Sequence, residues 1–373
     1  MMKKKVTKSD WDLLEHLTAL PGLSGFEEPV RRFIAQCLEQ INVPFEVDSL
    51  GNLVAHIAGG GPRVLFVAHM DEVGHVVSKI RADGYLSIER IGGVSAAALS
   101  GQPVQVWTAN GFLPGVVGVY PQHLERQEPE PPPRRPFVDI GVRSREEAVA
   151  CGVKVGAVVT YAPNFTRLNQ RLIRSKALDN RLGCYLLLQL AMQWGEKRPP
   201  TDLFLAFTVQ EESNLRGAVP VARAVAPQYI VGLDVTLAFD TPDLAPLEQS
   251  EVVLGKGPAL KIMDHLPGSL YGTIAHPGLR AHIENIAAQE GIPLQYEVMM
   301  GLTTAISPLA FIETGMAAIG LSIPSRYNHS PVEVVSTDDI EAAAMLLQVL
   351  VASPWPEEAG KGEIKSELKG GGG

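Results

Sequence analysis

Residues 63–74, RVLFVAHMDEVG, form an unbroken apolar run that ends abruptly in polar residues. A strand with one solvent face alternates apolar and polar side chains, whereas a strand without alternation is buried on both faces. Such strands belong to sheets covered by helices, and ligands there collect at the carboxyl ends of the strands. The same pattern returns after residue 166. ALDNRLGCYLLLQLAMQW (177–194) reads as a helix, DLFLAFTVQEE (202–212) as a strand and YIVGLDVT (229–236) as another strand. HPGLRAHIENIAAQEG (276–291) reads as a helix, LQYEVMM (294–300) as a strand, SPLAFIETG (307–315) as a short helix and AAIGLSIP (317–324) as a strand. STDDIEAAAMLLQVLVAS (336–353) reads as a final helix, capped by Ser336 or Thr337. This alternation predicts an α/β fold with a mixed, mostly parallel sheet flanked by helices.

The stretch between these two parts differs. HVVSKIRADGYLSIERIGG, QPVQVWTANGFLPGVVGVY and GAVVTYAP are short, alternating and rich in glycine turns, with SREEAVACG as the one helical pattern. Residues 73–165 are therefore expected to form a small β-rich domain inserted into a discontinuous one made of 1–72 and 166–355. Within the insert, HLERQEPEPPPRRP, with its Pro-rich core at 129–136, reads as a loop. Residues 356–373 read as a disordered, glycine-rich tail. Near the start, Ser24 and Glu27 have the spacing of a capping box before a helix striped by Phe26, Val30, Phe33 and Ile34. FEVDSLGNLVAHIA reads as a hairpin turning at residues 50–52.

With 373 residues and 46% hydrophobic content there is ample material for a core. The formal net charge of -9 argues against a nucleic-acid partner, since no basic stripe is present. Cys37, Cys151 and Cys184 are scattered in apolar contexts, as expected of buried free thiols rather than a disulfide framework. No apolar run is long enough to span a membrane, and the basic N-terminus lacks the apolar segment of a signal peptide. The expected location is cytoplasmic.

The strand and helix ends carry a short set of polar groups. His69 and Asp71 follow the first run, Asp179 stands at a helix start, Glu211 and Glu212 end one strand, Asp234 ends another, and His329 follows the last. Each alone has an ordinary explanation: a satisfied core histidine, an N-cap, an Asx turn, a solvated turn. Together they place two imidazoles and five carboxylates along one predicted edge, where they repel one another unless a cation lies between them. Mixed His, Asp and Glu ligation suits zinc, cobalt or manganese, and this many acids balance two divalent ions better than one.

The segments AHMDEVG, KALDNRLGC, TVQEESNLRGA, GLDVTLAFDTP and PSRYNHSPVEVV resemble the dinuclear metallo-aminopeptidases that assemble as tetrahedral (TET) dodecamers, a family that includes glutamyl aminopeptidases and members labelled endoglucanases. IGG, GVVGVYPQHL and VDIGVRSREEAVACGVKVG are similar to its dimerisation domain. The resemblance implies a zinc-peptidase-like fold, a homo-oligomer of dimers assembling to a dodecamer, short peptide substrates and two divalent ions per subunit, Zn²⁺ or Co²⁺ first and Mn²⁺ next. It implies that His69, Glu212, Asp234 and His329 complete the two metal shells and that Asp179 bridges them. It further implies that Glu211 is the general base, that Asp71 orients His69, and that Asp179-Asn180 is a cis peptide. If Glu211 and Glu212 sit on an extended strand end, their side chains point opposite ways, one to water and one to metal. One departure stands out: GLTTA puts Thr304 where many members carry an acid.

These features lead to the expectation of a metal-dependent aminopeptidase acting through a two-metal-activated water. A deacylase of N-acyl amino acids on the same scaffold and a non-catalytic assembly subunit remain open alternatives. A glycosidase, which needs two carboxylates across a sugar bond, accounts for the histidines least well.

Overall fold

A computed structural model gives the fold and describes residues 11–121, 123, 135–312 and 315–356. Most of the Pro-rich stretch and the tail from residue 357 lie outside the described residues. After helices α1 (Asp12–Ala19) and α2 (Glu28–Gln40), the chain forms the hairpin β1 (Phe45–Val47) and β2 (Leu53–Ile57). The Asp48 carboxylate closes that turn by accepting hydrogen bonds from the amides of Leu50, Gly51 and Asn52. Strand β3 (Arg63–His69) then leads directly into a second structural unit.

That unit is a closed six-stranded barrel of β4 (Gly74–Ile80), β5 (Leu86–Ile91), β6 (Pro103–Thr108), β7 (Gly111–Val117), β8 (Phe137–Asp139) and β9 (Val158–Tyr161), in the order β4-β5-β8-β7-β6-β9. Inward-facing Val77, Leu86, Ile88, Val104, Val106, Val117, Val138 and Val159 fill it. Closure leaves no exposed strand edge. Its helix, α3 (Arg145–Ala150), is capped by Ser144, whose hydroxyl accepts from the Glu147 amide.

The chain returns to the large sheet through β10 (Thr166–Arg167) and β11 (Leu172–Ser175), followed by α4 (Leu178–Trp194), β12 (Asp202–Thr208), α5 (Ala218–Val225) and β13 (Tyr229–Leu237). Next come β14 (Ala259–His265), β15 (Gly272–Ile274), α6 (Pro277–Glu290), β16 (Gln295–Met300), β17 (Ala317–Arg326), β18 (Glu333–Ser336) and α7 (Thr337–Ala352). The sheet has twelve strands. Its centre, β12-β3-β13-β17, is parallel, and so is β14 with β16; the remaining pairings are antiparallel.

Strand β3 shows why its sequence lacks alternation. Val64, Phe66 and Ala68 enter a core covered by α1, α2, α4, α6 and α7, while Leu65 and Val67 enter a second core under α5 on the other face. Successive strand residues point to opposite faces, so both sets must be apolar. Helix α4 is buried along its whole first half, from Leu178 to Leu188, which fits a helix apolar all round. Ser336 caps α7, accepting from the Asp338 amide. No helix among the described residues is long and apolar enough to cross a membrane.

Four local expectations give way to tertiary structure. Ser24 and Glu27 do not form a capping box; the Ser24 hydroxyl donates to Asp71, and the Glu27 carboxylate accepts from the amides of Gly25 and Gln210. Strand β12 stops at Thr208, and Gln210 adopts a left-handed φ of 55°, so Glu211 and Glu212 lie in a turn rather than on an extended end. The segment after Ile306 is a single 3-10 turn, Ser307–Phe311. Cys37 and Cys184 are buried, but Cys151, just past the end of α3, is exposed.

Candidate metal centre

The parallel strands bring the polar groups to one edge. His69 ends β3, Asp234 lies in β13, Glu211 and Glu212 follow β12, His329 follows β17, and Asp179 opens α4. The Asp179 carboxylate divides between the two imidazoles: Oδ1 lies 3.2 Å from His69 Nε2 and Oδ2 lies 3.4 Å from His329 Nε2. Asp234 Oδ1 is 3.6 Å from His69 Nε2, and Glu212 Oε1 is 3.3 Å from His329 Nε2. Glu211 Oε2 stands slightly farther off, 4.0 Å from His69 Nε2. Ligands bonded to zinc at about 2.0–2.2 Å in a tetrahedron stand about 3.3–3.6 Å from one another. The four shorter distances fall at or next to that interval, so the donor set fits divalent-metal ligation.

Both rings are oriented alike. His69 Nδ1 lies 3.1 Å from the carbonyl oxygen of Asp71, and His329 Nδ1 lies 3.3 Å from that of Gly93. A carbonyl only accepts, so each Nδ1 donates its proton there and each Nε2 faces the carboxylates. The Asp71 side chain lies beside the ring and has further partners. Its carboxylate accepts from the amides of Glu211 and Glu212, each at 3.0 Å, and from Ser24 at 2.6 Å. It thereby fixes the turn that the left-handed Gln210 begins. Its Oδ1 stands 3.5 Å from His69 Nδ1, so the ring is held chiefly by the Asp71 carbonyl.

The electrostatics of the protein groups alone are those of acids crowded together. Burial raises Glu211 well above the ordinary carboxylate range; Glu212 and Asp234 add to the rise and His69 opposes it. Burial also raises Glu212 and Asp234. For the imidazoles burial acts downward but is outweighed. The charges of Glu211, Asp179 and Asp234 lift His69 well above its usual value, and Asp179 and Glu212 lift His329 to about 12. For Asp179, between the two imidazoles, burial acts upward but the rings hold it low instead, so the shifts within the cluster run in opposite directions.

Three supports were not apparent from the sequence. Glu333, buried in β18, accepts from the amides of Asp179 at 2.9 Å and His329 at 3.0 Å, joining two residues far apart in the chain. Burial, together with the Asp179 charge, raises its pKa to about 8. Glu72, also buried, pairs with Lys176 at 2.7 Å and Arg181 at 3.3 Å on either side of Asp179. Arg181 in turn donates to the carbonyls of Met70, Leu17 and Leu20. The signal for these groups was a lysine, an arginine and two glutamates placed within otherwise apolar segments. Finally, Gly93 comes from the barrel side. The Asp179-Asn180 peptide is cis, and Asn180 donates to the carbonyl of Leu233.

A cavity of about 660 Å³ opens over these groups and is bounded on its far side by segments from β13, the β14–β15 turn and residues 301–304. The protein is thus an α/β sheet with an inserted β-barrel and a carboxylate-rich cavity at its strand ends. Residues 51–346 match the M42 glutamyl aminopeptidase family, and the chain belongs to it. It is 35% identical over 350 residues to the lysyl aminopeptidase of Pyrococcus furiosus, an alignment covering 92% of this chain and 96% of the relative. Among solved structures it resembles an aminopeptidase from the archaeon Desulfurococcus kamchatkensis, with a TM-score of 0.86 and 36% identity over 96% of this chain and 97% of that one. It also resembles the Pyrococcus horikoshii TET1 peptidase, which can assemble into a tetrahedron or a large octahedral shell, with a TM-score of 0.81 and 31% identity over 91% and 98% of the two chains. The expected resemblance to TET aminopeptidases holds.

Proposed function

We propose that this protein is a metal-dependent aminopeptidase that removes N-terminal residues from short peptides, with His69, Asp179, Glu212, Asp234 and His329 holding two divalent ions and Glu211 acting as general base. The division of the Asp179 oxygens between His69 and His329 carries this reading, because it describes two adjacent ligand sets with one shared member. Zinc or cobalt suits these donors best, and manganese next. When bound, such ions supply Lewis acidity and make water a better nucleophile at neutral pH.

The remaining chemistry falls to the chain's own groups. Glu211 is the most distant of the three carboxylates within 4.0 Å of His69 Nε2, and burial raises its pKa, which makes its carboxylate a stronger base. That suits a group that takes a proton from the attacking water and returns it to the leaving amine. Asp71 holds Glu211 and Glu212 in place through their amides, and the carbonyls of Asp71 and Gly93 keep each Nε2 aimed inward. The barrel, residues 73–165, serves as the dimerisation domain in this reading. Dimers assemble further, as the TET relatives do, and a closed shell limits access to short or unfolded peptides.

Glu211→Gln tests the assignment. The variant should retain two ions per chain by elemental analysis while kcat falls by about 10²–10⁴-fold on aminoacyl-p-nitroanilides. Full metal content together with full turnover refutes Glu211 as the base.

A further inference from the structure

The far wall of the cavity has a different chemistry from its acidic floor. Val235 and Leu237 reach it from β13, Leu266 and Tyr271 from the β14–β15 turn, and Leu302 from the segment after β16. Leu266 is 42% exposed and Tyr271 39% exposed, so apolar surface faces solvent beside the candidate metal centre. Thr304, where an acid would have added charge, presents a buried hydroxyl with no hydrogen-bond partner among the described residues.

Charge is confined to the floor. Among the described residues lining the cavity there is no lysine or arginine, and the carboxylates are Asp179, Glu211, Glu212 and Asp234. Lys261 lies in β14 next to this wall, but it is fully buried, paired with Glu297 and not part of the lining. A glutamate side chain against this wall would meet no lysine or arginine of the lining, and the two ions of the floor are already engaged by its own acids. A lysine side chain would find only the floor's acids, which the two ions already engage. Burying an unpaired charge is costly, whereas an apolar side chain gains from covering apolar wall.

We propose that this wall selects an uncharged, apolar side chain at the N-terminal residue of the substrate, with Leu237, Leu266, Tyr271 and Leu302 as specificity-determining residues. The inference rests on the aminopeptidase reading above. It sets this chain apart from relatives named for glutamyl and lysyl specificity.

The test compares leucyl-, glutamyl- and lysyl-p-nitroanilide on the metal-loaded enzyme. The leucyl substrate should exceed both others in kcat/KM by about a hundredfold or more, the scale expected for burying an unpaired charge. Leu302→Arg should then narrow the leucyl-to-glutamyl ratio by at least about tenfold, because it places a cation on the wall. Leu266→Arg is the parallel variant should the first not fold. A wild-type enzyme that cleaves the glutamyl or lysyl substrate as well as the leucyl one overturns the inference while leaving the aminopeptidase reading intact. An unchanged ratio in both folded arginine variants overturns the assignment of the wall. Turnover of none of the three substrates removes the aminopeptidase reading, and the inference falls with it.

Discussion

The barrel and the large sheet bury very different material. Among the described barrel residues, the buried polar side chains are His75 and Thr160, and the rest of the core is almost wholly aliphatic. The sheet unit buries Glu72, Lys176, Arg181, Lys261, Glu297, Glu333 and Asp339 in addition to the groups facing the cavity. Buried charge is weak support for stability, since desolvation offsets most of the attraction. Its concentration in the sheet unit marks where geometry is being fixed rather than where stability is gained. The barrel, free of that demand, is packed as a simple apolar core.

The largest test of this contrast is Glu72→Ala. It leaves Lys176 and Arg181 without their shared carboxylate inside the sheet unit, where each is almost fully buried. Removing one partner of a buried pair costs about 3–5 kcal/mol. Chemical denaturation should show a loss of that size, and a change below about 1 kcal/mol would contradict the role given to the network.

A smaller effect should appear in the barrel as acid is added. Burial pushes the His75 ring down from its ordinary 6.5 to about 4, where it sits edge-on to Tyr161. As pH falls below 6.5, unfolded chains take up the proton first and folded ones do so only near 4. The stability this group contributes is thus complete above about 6.5 and drains away toward 4, by an amount on the order of 2–3 kcal/mol. Hydrogen-exchange protection factors of barrel peptides should decline across that window, and His75→Phe should flatten the decline. An identical decline in the variant would assign it to other groups.

Much of this division was legible in the chain. The unbroken run in β3 announced a sheet covered on both faces, and the shift to short alternating segments at residue 74 announced a second unit. His69, Asp71, Asp179, Glu211, Glu212, Asp234 and His329 do converge, because parallel strands end at one edge. What escaped depends on contacts between distant segments. Ser24 and Glu27 have a helix-cap spacing, yet Asp71 and Gln210 claim them. Glu211 and Glu212 continue an apolar strand in sequence, yet the left-handed Gln210 turns them out of it. Glu333 reads as an ordinary strand residue until Asp179 and His329 are placed on either side of it. Such contacts leave no periodic trace, so local pattern cannot report them.

The contrast has one point of exchange. Gly93, in the loop after β5, offers its carbonyl to His329 Nδ1 at 3.3 Å, and the Ser95 amide donates to the carbonyl of His329. The barrel thus orients an imidazole of the sheet unit. A Cβ added at Gly93 would lie 2.7 Å from His329 Nδ1, too close for the ring to keep its place. Gly93 is not in a left-handed conformation, so alanine there strains no backbone and acts through the ring alone. Gly93→Ala should therefore lower kcat/KM by about tenfold or more and weaken retention of one ion, the range seen when partners of metal-bound imidazoles are altered. Its melting temperature in the metal-free state should match that of the wild type. If activity and metal retention are both unchanged, the barrel takes no part in shaping the site; if the metal-free protein melts early, the glycine serves packing and not the orientation of His329.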